Sequence, residues 1–168
     1  RRAGNGDDGI GSTGHDYSIT SAGSSSTSGG GANGGTGGVG AIGIKTGGIS
    51  ITNSGSISTA GNSAHGIRSF GTDASITNSG SISTAGASAV GIWSEGDNAS
   101  ITNSGSISTA GDGAYGIWST GDNASITNSG SISTTGDGAH GIRAGVAPMG
   151  LDSAGIRNTN TGSINTAG

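Results

Sequence analysis

The 168-residue chain has no cysteine, one proline, one methionine, and only two tryptophans, two tyrosines and one phenylalanine. Without cysteine there are no disulfides, no thiol catalysis and no zinc–thiolate site, although a cysteine-free chain still suits an extracellular setting. Charge is sparse as well: 10% of residues are charged, and ten acids against six bases give a formal net charge of −4. That leaves no broad basic surface, so nucleic acid is not an expected partner. No apolar run approaches the roughly 20 residues needed to cross a bilayer as a helix. The opening Arg1-Arg2-Ala3-Gly4 is not followed by the apolar core of a signal peptide, so the chain is expected to be a soluble segment cut or processed from a longer polypeptide. With 29% hydrophobic and 3% aromatic residues, composition alone would suggest a disordered polymer.

What the chain has instead is order in its repetition. Thirty-nine residues are glycine, and Ser-Ile-Thr-Asn-Ser-Gly-Ser-Ile-Ser-Thr begins at Ser50, Ser75, Ser100 and Ser125, with a period of 25 residues. Each copy runs on into Ala-x-Gly-Ile, at Ala64–Ile67, Ala89–Ile92, Ala114–Ile117 and Ala139–Ile142. The repeat also begins before residue 18, because Gly9-Ile10-Gly11-Ser12-Thr13-Gly14 and Ser18-Ile19-Thr20 match Gly116–Gly121 and Ser125–Thr127. Two units are seven residues too long. One surplus falls in the Gly/Ser tract Ser24–Gly38, read as a surface loop; the other falls between His140 and Asn160, around Pro148 and Met149.

Each unit carries three isolated isoleucines among small polar residues, as in Ser100-Ile101-Thr102, Ser106-Ile107-Ser108-Thr109 and Gly116-Ile117-Trp118-Ser119. This alternation is strand-like, and the Gly, Asn and Asp residues between the segments favour tight turns and positive φ. Three strands and three turns close one coil, and stacking coils about 4.8 Å apart places identical residues above one another. The expected fold is all-β: a single-stranded parallel β-helix, or β-solenoid, of six to seven coils over residues 1–168. Regular coils occupy 50–74, 75–99 and 100–124, while 18–49 and 125–156 carry the insertions. Its core would be isoleucine ladders, Ile51-Ile76-Ile101-Ile126 among them, with small alanines at a narrow corner. Asn53, Asn78, Asn103 and Asn128 would form a structural ladder of side-chain amides hydrogen-bonded from coil to coil.

The units resemble repeats in the passenger domains of large Gram-negative autotransporter adhesins, on the Ser-Ile-Thr-Asn-Ser-Gly-Ser-Ile-Ser-Thr blocks followed by Gly-Ile and Gly-Asp-Asn-Ala. The resemblance covers nearly the whole chain. It implies a right-handed β-helix, secretion through the outer membrane by a C-terminal β-barrel not included in this sequence, and display on the bacterial cell surface for adhesion or aggregation. The implied partners are a glycan or protein on a host or neighbouring cell, or the protein itself, with the membrane involved only through that barrel. No cofactor is expected.

One strip departs from the repetition. The position after the Gly-Ile isoleucine holds Lys45, Arg68, Trp93, Trp118 and Arg143, with Arg157 a further candidate. A partner column holds Ile42, His65, Val90, Tyr115 and His140. Lys45, Arg68, Trp93, Tyr115, Trp118 and Arg143 are therefore the candidate ligand contacts, since aromatic faces and guanidinium forks give contact area and direction. The alternative is that they cover the sheet and stabilise it by cross-strand pairing.

Other chemistry is less well supported. His65 and His140 share a column three coils apart, roughly 14 Å, too far to share a metal ion. Asp73, Asp97 and Asp122 near one turn, and Asp112 and Asp137 at another, would stack like charges that a cation could relieve, but the nonapeptide of calcium-binding solenoids is missing. Asn98-Ala99-Ser100 and Asn123-Ala124-Ser125 match the glycosylation sequon, which a repeat produces without selection for it. Glu95 is the only glutamate and no loop builds a cleft around the aspartates, so no catalytic residues and no metal site are expected. Two further readings remain: a filament-forming solenoid associating end to end or laterally, and an ice-binding solenoid acting through rows such as Ser50, Thr52, Ser75 and Thr77.

Overall fold

The structure, a computed structural model, describes residues 2–3, 10–12, 18–28, 44–46, 50–145 and 155–168. These residues form strands and turns with no helix. Three strands per 25-residue unit assemble into three parallel sheets, in which each strand pairs with its counterpart one coil away. The first sheet contains Ser50–Asn53, Ser75–Asn78, Ser100–Asn103 and Ser125–Asn128; the second contains Ser56–Ala60, Ser81–Ala85, Ser106–Ala110 and Ser131–Thr135. The third contains Ile67–Ser69, Val90–Ser94, Tyr115–Ser119 and His140–Ala144. Among the described residues the first and third sheets have six strands and the second has seven. The fold is a parallel β-solenoid.

Register follows the repeat, residue on identical residue: Ile82 pairs with Ile57 and Ile107, and Ile101 with Ile76 and Ile126. Alternate residues of the strands in the first two sheets point inward, as in the exposed–buried alternation of Ser106–Ala110, and the isoleucines from all three sheets meet in one cluster. Ile51, Ile57, Ile67 and their equivalents down to Ile132 belong to it, and Ile142 packs against it half-buried. Ala64, Ala89 and Ala114 are fully buried at the corner between the second and third sheets, whereas Ala139 is only half-buried.

The corners are made by residues that tolerate left-handed backbone. Ser63 and Ser88 at one corner have φ of 54° and 57°, and Asp73, Asn98 and Asn123 at the next have 59°, 57° and 55°. The third corner is tighter. Asn78 O accepts hydrogen bonds from both Ser104 and Gly105 of the following coil, at 2.8 and 3.1 Å, and a Cβ on Gly105 would overlap the Gly80 carbonyl above it. Behind that turn runs the asparagine ladder. Asn53, Asn78, Asn103 and Asn128 are buried, and each Nδ2 donates to the Oδ1 of the next asparagine at 2.7 Å, ending on Asn160. Every amide therefore points the same way. The ladder's upper end is Asn53 Oδ1, buried without a partner, where the coil before supplies Ser21 in register.

The two long units are absorbed without loss of register. Ser18 pairs with Ser50 and Ser131 with Ser163, steps of 32 residues where 25 is the rule, and in the third sheet Ile10 pairs with Ile44 and Ile44 with Ile67, steps of 34 and 23. The start of the tract Ser24–Gly38, read as a loop, is not one. Ser24–Ser28 is a strand of the second sheet, paired with Ser56–Ala60, because a serine-rich segment in register can still form backbone rungs. The rest of that tract and most of the second insertion, including Pro148 and Met149, lie outside the described residues.

Asn103→Ala is expected to remove the acceptor of Asn78 Nδ2 and the donor to Asn128 Oδ1 together. With about 1–3 kcal/mol for each of the two buried polar groups left unpaired, the expected loss is roughly 2–6 kcal/mol, read from the chemical-denaturation midpoint. An unchanged midpoint would mean that the ladder adds nothing to stability.

Candidate functional site

The third sheet owes its shape to one glycine per coil. Its register pairs Val90 with Tyr115 and Ile92 with Ile117, and passes over Gly91 and Gly116 between them. At Gly91 the chain bends inward: a Cβ there would overlap Ile107 Cγ2 and come within 2.6 Å of Gly116 O. Strict alternation would put residues three apart on opposite faces. Because Gly116 and Ile117 both point inward, Tyr115 and Trp118 instead share the outer face, and their ring centroids are 5.2 Å apart. Val90 is buried yet lies outside the isoleucine cluster, as this bend requires.

The candidate residues line up along the rod axis. Arg68 pairs with Trp93, Trp93 with Trp118, and Trp118 with Arg143; Lys45 stands in register above Arg68. The two indoles are stacked, with centroids 4.8 Å apart and planes inclined by 10°. The Arg68 guanidinium lies over Trp93 at 4.0 Å and over Phe70 at 4.5 Å, and its Nε donates to Glu95 Oε1 at 2.6 Å. At the other end the Arg143 guanidinium lies 5.6 Å from the Trp118 ring, and its Nη1 donates to the Tyr115 hydroxyl at 2.6 Å. The result is a continuous Arg–Trp–Trp–Arg pile. Trp118 Nε1 donates to Gly145 O at 3.2 Å, whereas Trp93 Nε1 is buried without a partner.

Beside the pile stands the second column. Tyr115 and His140 are stacked with ring centroids 5.5 Å apart, and His65 and Trp93 pack edge-to-face with centroids 4.8 Å apart and planes at 78°. His65 is buried and its Nδ1 accepts the Val90 N–H at 3.0 Å. Burial, reinforced by the nearby Arg68 charge, lowers its pKa from 6.5 to about 4.

The acidic turns are resolved by hydrogen bonding within the fold. Asp73 does not face an acid: Asn98 stands in its column and donates to Asp73 Oδ1 at 3.0 Å. The like pairs are Asp97 with Asp122 and Asp112 with Asp137, and in each the upper carboxylate accepts the backbone N–H of the lower aspartate, at 2.9 and 3.0 Å. Among the described residues no three His, Asp or Glu side chains converge as metal ligands. Asn98 and Asn123, the sequon asparagines, are exposed at positive-φ turn positions.

Two expectations change. Arg157 does not continue the basic column; it pairs with Ser125 in the first sheet, because the long unit re-enters register one sheet later. The tryptophan faces are not open platforms either, since each is covered by the other indole on one side and approached by a guanidinium on the other. Sequence reasoning also passed over Phe70 and Glu95 as members of the strip. They occupy one repeat position, followed by Thr120 and Gly145, and that variability in an otherwise uniform repeat was the available signal.

Because the stack needs both indoles, Trp93→Ala and Trp118→Ala should each abolish the coupled near-ultraviolet circular dichroism of the pair. Trp118→Ala also loses a hydrogen bond and is expected to destabilise by about 2 kcal/mol. Coupling that survived either single substitution would contradict the stacked geometry.

The chain matches no known family model, no curated protein and no solved structure.

Proposed function

We propose that the chain is part of an extracellular, non-enzymatic β-helical rod of a bacterial surface adhesin of the autotransporter passenger type, and that it mediates cell adhesion or aggregation through the outer face of its third sheet. The observation that carries this reading is where the repeat varies. On the outer faces of the first and second sheets the same serines and threonines recur coil after coil. On and beside the third sheet's outer face three neighbouring positions vary between coils: His65, Val90, Tyr115 and His140; Arg68, Trp93, Trp118 and Arg143; Phe70, Glu95, Thr120 and Gly145. A fold that needs only small residues facing outward does not require tryptophan, tyrosine and arginine there. Their concentration on one face suits recognition.

The geometry narrows the chemistry of that contact. With the indole faces occupied, a neutral sugar ring cannot lie flat on Trp93 or Trp118. What remains for a partner is ring edges, the outer ends of Arg68 and Arg143, the half-buried Tyr115, and the exposed Phe70 and His140. Such a surface suits a protein partner, or a glycan bound edge-on through its hydroxyls, better than a stacked pyranose.

The test is an array of matrix proteins and glycans probed with the wild-type chain and with a Trp93→Ala/Trp118→Ala variant shown to be folded by far-ultraviolet circular dichroism. Wild-type binding that falls at least tenfold in the variant is the expected result. Binding that persists unchanged in the variant would move the contact to another face, and no binding by the wild type would overturn the adhesive reading.

A further inference from the structure

We infer that His65 is an acid-operated latch: its neutral imidazole supplies one rung of the third sheet, and protonation releases the end of the Arg–Trp–Trp–Arg pile. The inference concerns the order of the strip and does not depend on what the strip binds.

The rung is unusual because a side chain makes it. Two coils on, the equivalent amide, that of His140, donates to a backbone carbonyl, Ala114 O, at 3.0 Å. At His65 the corresponding carbonyl, Ala64 O, is engaged by the Thr59 hydroxyl at 2.7 Å, and the Val90 N–H donates to His65 Nδ1 instead. The backbone strand shortens accordingly, to Ile67–Ser69, where the next coil has Val90–Ser94. Gly66 N–H to Val90 O, at 2.9 Å, closes the other side of the same link. The His65 ring also packs edge-to-face with Trp93, whose face carries Arg68. One imidazole thus joins the backbone rung to the aromatic pile.

A proton on Nδ1 turns that acceptor into a donor aimed at the Val90 N–H, and the rung is lost. Among the described residues no carboxylate is hydrogen-bonded to the ring to compensate. The charged group acting on it is Arg68 on its own coil, whose Nε is held by Glu95 of the next coil, and the coil before places Lys45 in register with Arg68. A buried imidazolium next to Arg68 is disfavoured, so the proton is taken up by the opened segment.

The sign follows from the lowered value. The latch contributes fully above pH 6.5, the ordinary histidine value, and its contribution drains away as pH falls towards about 4, where the closed form also takes up the proton. Between pH 6.5, where the opened ring is already half protonated, and pH 4, where the closed ring is half protonated, the opening constant rises about 80-fold.

Hydrogen exchange of the Val90 and Gly66 amides, corrected for intrinsic rates, reads the opening constant directly. In the wild type their protection should fall by about 80-fold between pH 6.5 and 4, with Trp93 becoming accessible to an acrylamide quencher over the same range. In His65→Val, which carries the residue of the following coil, protection at Gly66 should lack this pH-dependent fall, and His140→Val should retain it. The same fall in His65→Val, or none in the wild type, overturns the latch. If His65→Val does not fold, nitrogen chemical shifts of the wild-type ring decide: Nδ1 should remain unprotonated well below pH 6.5, and titration of that ring near 6.5 overturns the inference.

Discussion

Everything in this molecule depends on each coil hydrogen-bonding to an almost identical coil at one fixed spacing. Isoleucine supplies the hydrophobic contact, but three isoleucines in 25 residues are too few to order the chain alone. The backbone rungs between coils do the rest, and they form only where neighbouring chains follow the same path. That requirement explains the composition. Large side chains would obstruct the narrow interior, and serine, alanine and glycine lose little rotamer entropy when fixed. Proline would remove a rung donor. At Gly105 the coil above leaves no room for a Cβ.

Each corner of the coil meets the need for buried polar satisfaction differently. The asparagine corner closes on itself, since every amide donates to the next asparagine and lies 3.4 Å from the carbonyl of its own turn glycine. The threonine corner is less uniform. Thr59 reaches Ala64 O, while the hydroxyls of Thr84, Thr109 and Thr134 are buried without a partner. At the serine corner Ser69 accepts the Gly71 N–H, whereas the Ser94 and Ser119 hydroxyls are unpartnered. The asparagine column therefore holds register most firmly, because sliding by one residue would break its whole chain of amide bonds at once. The hydroxyl columns are cheaper fillers of the interior.

Most of this was legible in the sequence because a repeat states its contacts in advance. The period gave the coil, the isolated isoleucines gave the inward face, and Asn53, Asn78, Asn103 and Asn128 gave the ladder, all as the structure has them. The strip's main column was legible too, from Arg68 through Trp93 and Trp118 to Arg143. What escaped was local geometry that periodicity does not encode. The inward bend at Gly91 and Gly116 depends on a close approach to the second sheet, which only coordinates reveal. Ser63 and Ser88 take positive φ where asparagine or glycine would be the expected signal. Re-entry of the chain after the second insertion placed Arg157 one sheet away from its apparent column, since the likeness of Gly155-Ile156-Arg157 to Gly141-Ile142-Arg143 says nothing about which sheet it joins.

The third sheet shows how such a scaffold turns sequence into surface. In register on adjacent parallel strands, two identical flat rings must sit one strand spacing apart, and the indole centroids are 4.8 Å apart. That exceeds the thickness of a ring, so near-parallel planes reach contact only by leaning into an offset stack. The lean is free to propagate until the column changes residue. At both ends of the pair it changes to arginine, whose planar guanidinium can cover the last ring as another indole would, yet carries a charge that Glu95 and Tyr115 then orient. A uniform column would extend as an aromatic ridge along the whole rod. Ending it with arginine limits it to two rings and places a cation at each end, so the position of the pile along the axis is set by sequence alone while the scaffold beneath stays the same.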